Sequence, residues 1–315
     1  MPVYHRAASP LEGRIETEDG PDARRVHQYI STSGTNAMVG FACHAGVKRN
    51  QGRPGAKHAP LAIRQALASL AAADSMPAIA DLGDIVVDGD DLEAGQALLA
   101  SHLGDALARH QRIVVLGGGH ETAFGSFGGL RLAFPDQKIG IINLDAHLDL
   151  RAIGSHGASS GTPFFQIREQ APDDFEYLCL GVAQESNTTA LFNRATDWRV
   201  SIVEDHALIQ DRTAADAAID VIASRCDLIY LTIDMDVLPH YQACGVSAPA
   251  TRGVPLNVIE HIIDAVTGAC HRHQTKLPLA DIVEVCPPHD ANGLTARTAA
   301  LLARRLLQST IRADR

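Results

Sequence analysis

Two acidic runs in the 315-residue chain, one of them bearing a histidine, carry side chains able to do chemistry. Asp145-Ala146-His147-Leu148-Asp149 follows one apolar run and Asp234-Met235-Asp236 follows another. In extended chain, residues two apart point to the same side, so Asp145, His147 and Asp149 can converge, as can Asp234 and Asp236. A third cluster is Gly117-Gly118-Gly119-His120-Glu121, and Glu284 lies in a fourth, Asp281-Ile282-Val283-Glu284-Val285. Five carboxylates (Asp145, Asp149, Asp234, Asp236, Glu284) and two imidazoles facing one crevice could not stay unneutralised. Either their pKa values rise or cations fill the gap.

Taken singly, these clusters have ordinary structural explanations: a glycine triplet makes a tight turn, and a D-x-D is commonly a solvated loop. Together, each after an apolar strand, they point to a metal site. Oxygen-rich ligation with some imidazole and no thiolate suits a hard or borderline divalent ion such as Mn²⁺ better than a cysteine-based structural zinc. His120, Asp145, His147, Asp149, Asp234 and Asp236 are six candidate ligands, more than one ion that keeps water requires. Two ions sharing bridging carboxylates is the natural arrangement. A nucleotide cofactor is not expected, because the glycine triplet does not satisfy G-x-G-x-x-G and no G-x-x-x-x-G-K-[ST] occurs.

The elements that must position these groups show in the apolar patterning. Short apolar runs at Ala37–Cys43, Arg112–Leu116, Lys138–Leu144, Tyr177–Val182, Val200–Val203, Leu228–Ile233 and Leu279–Val285 read as strands. They alternate with Ala- and Leu-rich stretches of helical spacing at Ala59–Ala73, Leu92–His110, Ala214–Arg225, Leu256–His273 and Thr295–Leu307. Such alternation implies crossover units and a parallel sheet, and the nearly continuous apolar runs fit strands covered on both faces. Sheets of this kind bind ligands at the carboxyl ends of their strands, where the four clusters fall. Residues 1–33 are polar and punctuated by Gly and Pro, and read as an arm; 34–315 contain no linker and read as a single α/β domain.

Composition narrows the function classes. Apolar residues make up 46% and charged residues 20% of the chain, as in an ordinary globular protein. The formal net charge of −10 argues against nucleic acid or an anionic membrane as partner. No apolar run is long enough to span a bilayer. The start, MPVYHRAASPLEGRIETEDG, has no basic region leading into an apolar stretch, so a cytoplasmic location is expected. Cys43, Cys179, Cys226, Cys244, Cys270 and Cys286 are widely spaced, without a C-x-x-C pair, and read as reduced thiols.

From roughly Asn36 to Leu307, the metal-capable runs and their order resemble those of the ureohydrolase family, which comprises arginases, agmatinases, guanidino-acid hydrolases and formimidoylglutamases. The chain is most similar to the formimidoylglutamase branch in Gly13-Arg14 with Asp22-Ala23-Arg24-Arg25, in Arg49-Asn50-Gln51-Gly52-Arg53, and in Asp145–Arg151. Ser160-Gly161-Thr162-Pro163, and Leu231–Ser247 followed by Ala248-Pro249, share that similarity. The resemblance implies a three-layer α/β/α arginase-like fold with a mainly parallel eight-stranded sheet, and two Mn²⁺ ions per subunit. By position it makes His120 a terminal ligand of one metal and His147 a ligand of the other. Asp145 and Asp234 would bridge or approach both; Asp149 would complete the first site and Asp236 the second. It implies hydrolysis of a linear amidine by water activated between two cations, with the Glu284 carboxylate aligning the substrate's C–N group.

Departures from the arginase pattern bear on substrate. Ser160 stands where arginases carry a histidine thought to shuttle protons and cannot do imidazole chemistry; His156, nearby in a Gly/Ser-rich loop, reads more readily as surface than as a substitute. Leu150-Arg151 replaces the small polar residue expected of an arginine hydrolase. A guanidinium there would attract N-formimidoyl-L-glutamate, which has two carboxylates and no free α-ammonium, and would repel agmatine. Arg49, Asn50 and Arg53 are further candidate anion contacts, or parts of a solvated basic turn. The expected activity is conversion of N-formimidoyl-L-glutamate to L-glutamate and formamide, as in histidine degradation. A guanidino-acid hydrolase releasing urea is the alternative, and a non-catalytic sensor would be expected to have lost some ligands. The family includes trimers and hexamers, so a homo-oligomer is compatible with the sequence.

Overall fold

In the computed structural model, which describes residues 3–20, 22–72 and 76–308, ten strands form one sheet. They are β1 (Val3–Arg6), β2 (Ile30–Ser31), β3 (Asn36–Ala42), β4 (Ile79–Val87), β5 (Arg112–Leu116), β6 (Ile139–Leu144), β7 (Glu176–Val182), β8 (Ser201–Glu204), β9 (Leu228–Asp234) and β10 (Lys276–Val283). Their order is β1-β4-β3-β5-β10-β9-β6-β7-β8, with β2 also on β4. The eight strands β3 to β10 are mutually parallel. The expected count of eight is therefore corrected to ten: β1 joins the edge of β4 antiparallel and the two-residue β2 joins it in parallel. Both come from the polar lead-in, whose backbone pairs with an edge that would otherwise expose its hydrogen-bonding groups.

The helices are α1 (Ala45–Arg49), α2 (Ala59–Ala68), α3 (Leu92–Leu107), α4 (Thr122–Ala133), α5 (Pro163–Gln170), α6 (Thr189–Asp197), α7 (Asp205–Gln210), α8 (Thr213–Arg225), α9 (Leu256–His273) and α10 (Leu294–Gln308). The helix expected to reach Ala73 ends at Ala68, and Ala73 itself lies outside the described residues, as do 309–315 of the expected domain. Alternate strand side chains feed two cores. Ile229, Leu231 and Ile233 of β9 pack with Ile63 of α2, Ile219 of α8, Ile262 of α9 and Leu302 of α10. Leu228 and Tyr230 face the opposite core with Leu103 of α3, Phe127 of α4, Phe164 of α5 and Leu191 of α6. The result is the three-layer α/β/α sandwich.

Four neighbouring strands, β5, β10, β9 and β6, carry the four polar clusters at or just past their carboxyl ends. The chain reaches β6 from β5 by skipping two strand positions, later filled by β9 and β10. That is a topological switch point, where the flanking connections diverge and leave a crevice.

Candidate metal centre

His120 sits between the end of β5 and the start of α4, and the glycines before it let the chain turn sharply into the crevice. A Cβ on Gly118 would lie 1.9 Å from the carbonyl oxygen of Cys43, so only glycine permits this approach to the end of β3. His120 is 1% exposed, and its Nδ1 lies 3.1 Å from one oxygen each of Asp145, Asp149 and Asp234. Its other nitrogen, Nε2, is 3.0 Å from the Thr232 hydroxyl. Phe164 packs edge-on against the ring at 5.3 Å and stacks on Tyr177 at 4.4 Å, which makes it core packing that supports the histidine.

A second cluster adjoins the first. His147 Nδ1 is 3.1 Å from Asp236 and 3.5 Å from Asp145. Two sets of ligand atoms, His120/Asp145/Asp234 and Asp145/His147/Asp236, are each mutually within 4.8 Å, so Asp145 is common to both. The two ends of its carboxylate are held apart. Oδ1 accepts from the His147 backbone N–H at 2.7 Å, and Oδ2 accepts from the Asn143 side chain at 3.0 Å. Asp234 is fixed similarly, accepting from the Asp236 N–H at 2.8 Å.

Glu284, just past β10, has Oε1 on the His120 backbone N–H at 2.9 Å, while its own N–H donates to the Gly118 carbonyl at 2.8 Å. Asp149 and Glu284 have positive φ angles of 47° and 65°. Such backbone costs a non-glycine residue about 1–3 kcal/mol and persists only where the surroundings over-determine it.

The protein atoms alone do not satisfy this arrangement. One ring nitrogen carries at most one proton, yet three carboxylate oxygens converge on His120 Nδ1, and none makes a well-directed hydrogen bond with it. Asp236 Oδ1 and Glu284 Oε2 are likewise buried without a partner. Burial, followed by repulsion from Asp236 and Asp145, pushes the Asp234 carboxyl well above its ordinary pKa. Burial and Glu121 do the same to Glu284. Burial opposes charge on both histidines, but their carboxylate neighbours outweigh it and hold them well above the usual value. Burial also opposes charge on Asp145, and the two imidazoles outweigh it, holding this carboxyl below the usual range. Divalent cations would remove the repulsion and occupy the unpartnered atoms, so the residues fit a metal.

Above the cluster opens a cavity of about 310 Å³, lined by His147, Asp149, Asp234, Asp236 and Glu284. Asn50, Arg151 and Ser160 also reach it, with the Asn50 amide donating to the Ser160 hydroxyl at 3.2 Å. Arg151 is exposed, and its guanidinium has no hydrogen-bond or ion-pair partner among the described residues. Its stem crosses Gly161, where a Cβ would lie 2.9 Å from Arg151 Cδ. Arg49 is not brought to the cavity. Its guanidinium pairs with Glu93 of α3 at 2.6 and 3.0 Å and donates to the carbonyls of Asp90 and Ala158. Ser186 and Asn187 line the cavity without having stood out in the sequence. Asn187 accepts from the Leu148 N–H at 2.9 Å and donates to the Ala146 carbonyl at 2.9 Å, so it holds the Asp145–Asp149 loop in place. The signal that could have found both is their position just past the end of β7. The six cysteines are unpaired.

Residues 35–308 match the Arginase family model. The chain belongs to the arginase family. Similar proteins within it include the formimidoylglutamase of Citrobacter koseri, 43% identical over 309 residues that cover 94% of this chain and 95% of the relative. That of Vibrio cholerae is 45% identical over 317 residues, covering 92% and 91%. Among solved structures, Bacillus subtilis formimidoylglutamase superposes with a TM-score of 0.81 at 22% identity, covering 93% of each chain. Trypanosoma cruzi formiminoglutamase with Mn²⁺ gives 0.76 at 25% identity, covering 87% of this chain and 92% of the other. The strand-end cluster lies at the β5/β6 switch point.

Proposed function

We propose that the protein is a dimanganese hydrolase that converts N-formimidoyl-L-glutamate and water to L-glutamate and formamide. The observation that carries the reading is the free guanidinium of Arg151 in the same cavity as two metal-capable clusters that share Asp145. The formimidoylglutamase relatives, similar over nearly the whole chain, support the substrate class. In this reading residues 34–315 form the catalytic domain and 1–33 an arm.

His120, Asp149, Asp145 and Asp234 would hold one ion, and His147, Asp236 and the shared Asp145 the other, with Asp234 at the boundary. When bound, two Mn²⁺ ions lower the pKa of water toward neutrality and so supply a nucleophile at physiological pH. The unpartnered Glu284 Oε2 accepts from the N–H groups of the formimidoyl amidinium and orients its carbon over the cluster, in a backbone pose held by Gly118 and His120. Arg151 takes a substrate carboxylate in a charge-assisted contact, with Asn50 and Ser160 beside it as neutral hydrogen-bonding groups. The C–N bond to the glutamate nitrogen breaks, and glutamate leaves as the amine.

The test is a substrate panel with Mn²⁺-loaded protein. Formamide release from N-formimidoyl-L-glutamate is expected, without urea release from arginine, agmatine or guanidinobutyrate. Urea from any of these, with no formamide, would overturn the substrate assignment.

A further inference from the structure

The cavity is chemically bipolar. Its buried end is acidic, with Asp234, Asp236 and Glu284 each no more than 5% exposed. Two arginines, the exposed Arg151 and the half-buried Arg53, also line the cavity. Arg53 is brought there by two features. Gln51, at φ 61°, turns the loop after α1 back on itself, and the Arg53 N–H then donates to the Ser247 hydroxyl at 2.9 Å. Nε donates to the Ser247 carbonyl at 2.9 Å and Nη2 to the Val246 carbonyl. These contacts fix the plane of the group, yet carbonyls carry no net charge. Among the described residues no carboxylate of the chain pairs with Arg53 or Arg151, in contrast to Arg49, which Glu93 neutralises. Nη1 of Arg53 makes no hydrogen bond there either.

We propose that Arg53 is a second carboxylate anchor, so that Arg53 and Arg151 together select substrates carrying two carboxylates beside an amidinium. This deepens the reading above and rests on it for the chemistry at the buried end. A cationic amidinium meets the acids while each carboxylate meets its own guanidinium, and no buried charge is left unpaired. A substrate with a single carboxylate would leave one guanidinium unmatched, and a free ammonium near either arginine would be repelled. Clamping Arg53 on two carbonyls pre-organises its fork, which lowers the ordering entropy of capture.

The two-anchor arrangement is testable without turnover. Binding of glutarate and of pentanoate, which lacks one carboxylate, is measured by calorimetry on the Mn²⁺-loaded protein. Wild type is expected to bind glutarate at least about tenfold more tightly than pentanoate, as one charge-assisted contact implies. Arg53→Met is expected to lose that preference while leaving pentanoate binding and Mn²⁺ content near wild type, with a lowered melting temperature from the two carbonyl contacts it gives up. Arg53→Lys keeps the charge without the planar fork and should recover part of the glutarate affinity. Unchanged glutarate binding in Arg53→Met would overturn the proposal. So would equal weakening of both ligands, since that is the signature of a clamp on the 246–247 segment alone. If wild type proved to release urea from a guanidino compound, the proposed substrate would fall, and the glutarate comparison would still decide the role of Arg53.

Discussion

Replacing Arg151 by methionine keeps a long apolar stem over Gly161 and removes only the charged fork. Among the described residues that fork makes no hydrogen bond or ion pair, so its loss leaves no polar partner unsatisfied and folding should be unaffected. What disappears is a charge-assisted contact with a substrate carboxylate, ordinarily worth about 1.5–3 kcal/mol. Because the side chain is exposed, solvent screening lowers that to roughly 1–2 kcal/mol. At about 1.4 kcal/mol per tenfold, KM for N-formimidoyl-L-glutamate should rise about 5- to 30-fold. The contact exists in ground and transition states alike, so kcat should change by no more than about twofold. Steady-state kinetics on Mn²⁺-loaded protein, with metal content measured in parallel, provides the assay. Raising the salt to about 1 M, where the screening length falls to about 3 Å, should raise KM of wild type far more than that of the variant. An unchanged KM, or a variant that has lost manganese, would refute the assignment of Arg151 to the substrate.

Three further outcomes follow from the geometry. Asp145→Asn removes a charge from the one residue common to both clusters. It should lower manganese affinity by more than the roughly 10–100-fold typical of outer-shell replacements, read as ions per subunit by elemental analysis. In Gly161→Ala the new methyl would sit 2.9 Å from Arg151 Cδ and 3.3 Å from Asn50 Nδ2. Arg151 must then swing aside, so KM should rise several-fold in the kinetic assay while melting temperature and metal content hold. In metal-free protein His120 and His147 titrate above their ordinary value of 6.5 and Asp234 above 3.8. The folded state therefore binds more protons than the unfolded one, and stability from these groups should fall as pH rises above these values. Thermal melts with a chelator should show that decline, and Mn²⁺ should flatten it; equal slopes with and without metal would contradict the cluster's electrostatics.

Seven of the strands and five of the helices follow from apolar periodicity, because their side chains enter cores on both faces of the sheet. β4 does not. Its sequence Ile79–Val87 places Asp81, Gly83 and Asp84 where a buried strand should be apolar. Arg64 of α2 pairs with both acids, with contacts of 2.8 and 2.6 Å, and Arg6 of β1 adds a second cation to Asp84 at 2.6 Å; Arg64 is 17 and 20 residues away in the chain. α4 was hidden differently. Its glycines look unfit for a helix, yet a Cβ at Gly129 would lie 2.5 Å from Leu103 Cβ, so glycine is what lets α3 and α4 meet.

By itself the sequence determined the chemistry of the site: which side chains can ligate, and that each run follows an apolar segment. The extended backbone expected of the runs is not what forms, since Asp145, His147 and Asp149 lie in the loop after β6, with Asp149 at φ 47°, and Asp236 lies in a 3-10 turn after β9. Residue type and the end of an apolar run are local properties. Only the tertiary structure decided which of them meet. Strand order brings His120 and Asp145, on non-consecutive strand positions, to 3.1 Å, and makes Asp145 the shared residue. It also separated the arginines, which look alike in the sequence. Arg49 is spent on Glu93, whereas Arg53 and Arg151 reach the cavity without a carboxylate partner. Whether a guanidinium is neutralised depends on acids dozens of residues distant, and no local pattern encodes that distance.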